Sequence, residues 1–159
     1  MPLHSAGILL YRLRDGRLEL FLAHPGGPFW QDKDTGVWSI PKGLCEPDEQ
    51  PLAAARREFH EETGTALDAP DEAFIPLGEV TQKGGKIVHA WAVAGDIDAA
   101  AIVSNTYAVQ WPKGTWRRYP EIDRAGWFGV DEARQKILAA QAAFIERLLA
   151  YLGSGEEAS

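Results

Sequence analysis

Between Gly43 and Thr65 the chain reads G-L-C-E-P-D-E-Q-P-L-A-A-A-R-R-E-F-H-E-E-T-G-T, and this stretch limits its possible folds most. Pro51 suits the first turn of a helix, where its missing N–H costs nothing, and Gly64 is a helix stop. Residues three and four apart share a face of such a helix. Leu52, Ala55 and Phe59 then form an apolar stripe that must dock on a sheet. Glu58, Glu61 and Glu62 project together elsewhere. Glu49, near the helix start, carries a charge that suits the macrodipole. Glu61 and Glu62 occupy the last turn, where the dipole disfavours them, and no Lys or Arg lies four residues after either. Clustered carboxylates of this kind call for a hard divalent cation of the sort that sits beside a phosphate.

The spacing Gly43, Glu49, then Arg57-Glu58-Phe59-x-Glu61-Glu62-x-Gly64 resembles the signature box of the Nudix hydrolases. One position departs from that pattern, since the box normally closes with an aliphatic residue and here has Thr65. The resemblance implies an α/β fold, a Nudix-type α/β/α sandwich around a mixed sheet, over residues 1–153; residues 154–159 read as a disordered tail. It implies that Glu58, Glu61 and Glu62 ligate Mg²⁺ (or Mn²⁺), that Glu49 and Arg57 hold the box loop to the helix, and that Gly43 and Gly64 are backbone positions needing conformational freedom. The implied reaction is attack of water on phosphorus in a diphosphate link. Glu58 or Glu61 is the expected base within the box. Outside it the candidates are Glu79, Asp123 and above all Glu121, because related enzymes often draw a late carboxylate from the segment before an aromatic strand.

The rest of the chain bounds this reading. At 159 residues with ordinary apolar content the chain makes one domain with a real core. A net charge of −7 argues against general nucleic-acid or membrane binding. The single cysteine, Cys45, forbids an internal disulfide and suits a reducing, cytoplasmic setting; it reads as an inert loop residue. Gly7 to Tyr11 is too short an apolar run for a signal peptide or membrane span. No heptad pattern specifies an oligomeric state.

Ser5–Arg12 and Arg17–His24 read as strands around an Asp15-Gly16 hairpin turn. A long loop follows to Gly36, then a short strand over Val37–Ile40. Phe74–Thr81 and Lys86–Val93 form a second hairpin around Gly84-Gly85. Tyr107–Trp111 and Gly126–Gly129 are further strands. From Asp131 to Leu152 the pattern is helical, with a break near Ala139–Gln141 and fraying from Gly153.

Substrate contacts are expected from Lys42, whose point charge suits a phosphate, and from Trp30, Trp116, Arg117, Arg118 and Tyr119, all placed in loops. Aromatics there, Trp38 and Trp111 included, can stack on a base. Trp91 and Trp127 read as core. His24 and His89 read as structural, and His60 has no role. Lys83 and Lys86 are further cations, ranked below Arg117 and Arg118. The run Trp38-Ser39-Ile40-Pro41-Lys42-Gly43 resembles the approach to the box in diadenosine polyphosphate and diphosphoinositol polyphosphate hydrolases, and Ser5-Ala6-Gly7 resembles the dinucleoside polyphosphate group. The small-molecule substrate implied is a nucleoside polyphosphate, dinucleoside polyphosphates first. NTPs or oxidised dNTPs, ADP-ribose, diphosphoinositols, or a catalytically silent ligand-binding domain are the alternatives.

Overall fold

The computed structural model describes residues 2–158, with side-chain surroundings through residue 153. Its first hairpin pairs β1 (His4–Arg14) with β2 (Arg17–Pro25) around Asp15-Gly16. β1 is the organising strand. Along one edge it pairs parallel with β5 (Ile87–Ala94), which pairs antiparallel with β4 (Ile75–Thr81). Along the other edge it pairs with β2 over Tyr11–Arg14 and with β3 (Lys42–Leu44) over Ser5–Gly7. A late strand, taken in chain order below as β8 (Ile122–Gly129), pairs with β2 and completes a mixed six-stranded sheet. A separate ribbon consists of β6 (Thr106–Gln110) and β7 (Trp116–Pro120).

Both faces of the sheet are apolar because its inner strands are covered on both sides. Ala6, Ile8, Leu10 and Phe21 point to one face, where α1 (Pro51–Thr63) docks with Ala55 and Phe59 fully buried. Burying Phe59 contributes about 1.5–3 kcal/mol. Leu9, Leu20 and Leu22 alternate to the other face, against Ala133 of α2 (Val130–Lys136) and Phe144, Ile145 and Leu148 of α3 (Ala142–Ala158). The expected α/β/α sandwich is therefore present. Among the described residues no helix is long and apolar enough to cross a membrane.

Two local expectations are corrected. Val37–Ile40 is not a strand: Trp38 and Ser39 make isolated bridges to Ile137 and Ala23, and the pairing strand starts at Lys42. Trp116–Tyr119 is not a loop but part of β7, because its backbone pairs with β6. α3 is assigned through Gly153 to Ala158, and Ser159 lies outside the described residues. The break before α3 is found, as a single 3₁₀ turn over Ala139–Gln141.

Candidate active site

Gly43 lies at the centre of β3, directly against the helix it precedes in sequence. Its backbone is not in the left-handed region, so the conformational freedom expected there is not what the position requires. A Cβ at Gly43 would stand on the Glu58 carboxylate; glycine is needed for space. Gly64 does match its expectation: it caps α1 at φ 80°, and its N–H donates to the His60 carbonyl at 2.8 Å.

Arg57 ties the box together. Its Nε and Nη2 donate to the two oxygens of Glu49 at 2.8 and 2.9 Å, and Nη2 also reaches the Leu44 carbonyl at 3.0 Å. Glu49 in turn accepts the Glu46 N–H at 3.1 Å. The guanidinium holds the Glu49 carboxyl down at about 2. Glu49 therefore clamps the loop, and it lies outside the first turn, which contains no acidic residue.

The three box carboxylates do not share one environment. Arg57 Nη1 donates to both Glu61 oxygens at 3.2 Å. This cation lies four residues before Glu61, on the side that a search for following cations overlooks. Glu58 and Glu62 stay together and line a cavity of about 410 Å³ with Ser5, Lys42, Lys86, Asn105 and Glu121. Burial, then the neighbouring Glu61 charge, pushes Glu58 up to about 7. Burial, then Glu58, pushes Glu62 to about 8, although Glu62 accepts the Lys42 N–H at 3.2 Å. Burial also raises Glu121. Lys42 is lowered by burial and by Lys86, against the pull of Glu62, Glu58 and Glu121.

This donor set fits a hard divalent cation. Crowded, buried carboxylates that repel one another are relieved by positive charge. The Ser5 hydroxyl, in a residue 1% exposed, has no hydrogen-bond partner. Among the described residues no three His, Cys, Asp or Glu side chains close into a cage by themselves.

Other sequence candidates fall elsewhere. Glu79 sits on edge strand β4, 3.6 Å from His89. Asp123 accepts from His24 Nδ1 at 2.8 Å, and fully buried His24 also contacts the Lys33 carbonyl. Trp38 is core rather than a stacking surface: it is 5% exposed, packs on His24 and Phe128, and donates to Asp34. Burial raises the Cys45 thiol, in keeping with an inert residue. Trp30 is partly exposed beside Lys33. Lys86 lines the cavity, and Arg117 and Arg118 do not. Ser5 and Asn105 were missed as site residues. Ser5 carried a signal in the Ser5-Ala6-Gly7 run; Asn105 had none, because only tertiary contacts place it, its N–H donating to the Glu61 carbonyl and its carbonyl accepting from the Glu121 N–H.

A loop, strand and helix thus bring paired carboxylates against two lysines in one cavity. The family model described as NUDIX domain matches residues 1–148, and the chain belongs to the Nudix family of hydrolases. No curated protein sequence matches it. Its fold is similar to a C. elegans Ap4A hydrolase binary complex (22% identity, 96% of this chain and 98% of that one, TM-score 0.66). It is also similar to the NUDIX domain of Shewanella oneidensis NrtR complexed with ADP ribose (17%, 96% and 89%, 0.67) and to a mutT/nudix family protein from Listeria innocua (18%, 100% and 99%, 0.66).

Proposed function

We propose that the protein hydrolyses a diphosphate link in a nucleoside polyphosphate, dinucleoside polyphosphates first, with Mg²⁺ held by Glu58, Glu61 and Glu62. The observation that carries this reading is the cavity in which Glu58, Glu62 and Glu121 face Lys42 and Lys86. Lys42 and Lys86 offset the charge of the bound phosphates and orient them. Glu121 lines the same cavity as Glu58 and Glu62, from outside the box, and in this reading it accepts the proton of the attacking water. Arg57, bonded to Glu61 and 3.6 Å from Glu58, holds both carboxylates in place. Bound Mg²⁺ would neutralise bridging phosphate oxygens and lower the pKa of a coordinated water. The Ap4A hydrolase among the similar folds and the Trp38-to-Gly43 run support the order of substrates.

The test is incubation with Mg²⁺ or Mn²⁺ and a panel of diadenosine polyphosphates, NTPs, 8-oxo-dGTP, ADP-ribose and diphosphoinositols. Turnover of a dinucleoside polyphosphate at the highest kcat/KM is expected, and Glu121→Gln should lower kcat by about 10²–10⁴-fold. Hydrolysis of none of these compounds sinks the reading, as does a Glu121→Gln rate near wild type for the role of Glu121.

A further inference from the structure

The β6–β7 ribbon has two faces, and its odd-numbered residues share one. Pairing continues past both ends of the named strands: the Glu121 N–H donates to the Asn105 carbonyl at 2.9 Å and the Trp111 N–H to the Thr115 carbonyl at 2.8 Å. Side chains alternate along a strand. Asn105, Tyr107, Val109 and Trp111 therefore face the same way as Arg117, Tyr119 and Glu121. The contacts agree. Asn105 and Glu121 line the catalytic cavity. Tyr107 donates its hydroxyl proton to the Gly26 carbonyl at 2.7 Å, and the Trp111 ring packs on Phe29 with centroids 5.2 Å apart. Trp116 and Arg118 point to the opposite face, where Arg118 donates to Thr106. Of the four substrate residues expected on this segment, Arg117 and Tyr119 thus share the cavity's face and Trp116 and Arg118 do not.

The shared face has a length. From Glu121 to Arg117 is about 13 Å and from Asn105 to Trp111 about 20 Å, at roughly 3.3 Å per residue. At its far end Phe29 and Trp111 are 51% and 49% exposed, leaving aromatic surface free beside Arg117, which has no ion-pair partner among the described residues. The face borders the cavity at Asn105 and Glu121, and Gly26 packs on Tyr107 between its two ends; aromatic rings and a cation on the same face as a phosphate-binding cavity match a nucleobase joined to a polyphosphate. A nucleoside triphosphate has one nucleoside to place. A dinucleoside polyphosphate has a second, and the ribbon offers it a seat beyond the cavity.

We infer that the odd-numbered face of the ribbon binds the distal nucleoside of a dinucleoside polyphosphate, its base on the Phe29–Trp111 pair and its phosphate chain beside Arg117. This rests on the reading of the cavity as the hydrolytic site. Trp111→Ala should raise KM for diadenosine tetraphosphate about tenfold or more, with kcat within twofold, and should lower the ratio of kcat/KM for that substrate to kcat/KM for ATP by a similar factor. Trp111→Phe, which keeps a stacking ring, should recover most of the loss, and Trp116→Ala on the opposite face should leave both substrates unchanged. An unchanged KM in Trp111→Ala, or an equal effect of Trp116→Ala, overturns the inference. If the wild-type protein cleaves no dinucleoside polyphosphate, the proposed reaction fails on its own, and the platform is judged by binding of methylene-bridged diadenosine tetraphosphate. A Kd raised tenfold by Trp111→Ala and not by Trp116→Ala supports it; equal Kd values refute it.

Discussion

Gly43→Ala isolates the geometry of the site from its chemistry. The substitution adds one methyl group, at a position whose backbone any residue can adopt. That methyl lands on both oxygens and the carboxyl carbon of Glu58. To restore an ordinary separation of about 3.5 Å, the carboxylate must retreat by more than an ångström. A misplacement of about 1 Å costs about 10²-fold in rate, or about 2.7 kcal/mol of activation free energy. Folding should change little. Glu58 ends in rotatable bonds and can yield, while Gly→Ala at a compatible backbone stabilises by about 0.4–1 kcal/mol through the unfolded chain. The assay is kcat under saturating Mg²⁺ on the best substrate of the panel, beside a thermal melt. The expected result is a roughly hundredfold loss with Tm within a few degrees of wild type. Because the effect runs through Glu58, Gly43→Ala placed on Glu58→Ala should cost less than about 0.5 kcal/mol further. A rate within threefold of wild type, or a further tenfold loss in that double variant, would refute the reasoning.

The raised Glu58 and Glu62 make metal-free stability depend on pH. Between the unfolded value of 4.5 and folded values of about 7 and 8 the native state binds more protons, so stability falls as pH rises through that window. Melts in EDTA should show Tm dropping from pH 5 to pH 8, and Mg²⁺ should raise Tm more at pH 8 than at pH 6; a flat profile contradicts the shared environment of the pair. Arg57→Ala removes the paired hydrogen bonds to Glu49 and should destabilise by about 1–3 kcal/mol in urea unfolding. Arg57→Lys should recover only part of that, since a lysine cannot span both oxygens, and full recovery would argue for charge alone. Gly64→Ala forces a side chain to φ 80°, against the Val103 carbonyl, and should cost about 1–2 kcal/mol; an unchanged urea midpoint would count against the cap.

The box helix was legible because every signal agreed locally: Pro51 at its start, Gly64 past its end and an apolar stripe between. The first two hairpins were legible from their turns. The ribbon strand β7 was not, because Trp-Arg-Arg-Tyr has no buried face to give it an alternating pattern; its pairing with β6 makes it a strand. Val37–Ile40 misled in the opposite sense. Its apolar residues are buried by packing on α2 and α3 and not by membership of the sheet.

The sequence by itself carried the reaction class through the resemblance of its box to the Nudix signature, and the box was readable because its carboxylates, arginine and glycines are close in the chain and their spacing on a helix follows from its pitch alone. Only the tertiary structure decided which groups share the cavity. Lys42, Lys86, Asn105 and Glu121 come from separate elements, and their meeting depends on sheet order, which local spacing does not encode. The same holds for Glu61, drawn to Arg57 while Glu58 and Glu62 turn inward. It holds also for the ribbon, where the parity of the strand pairing puts Arg117 on the cavity's face and Trp116 away from it.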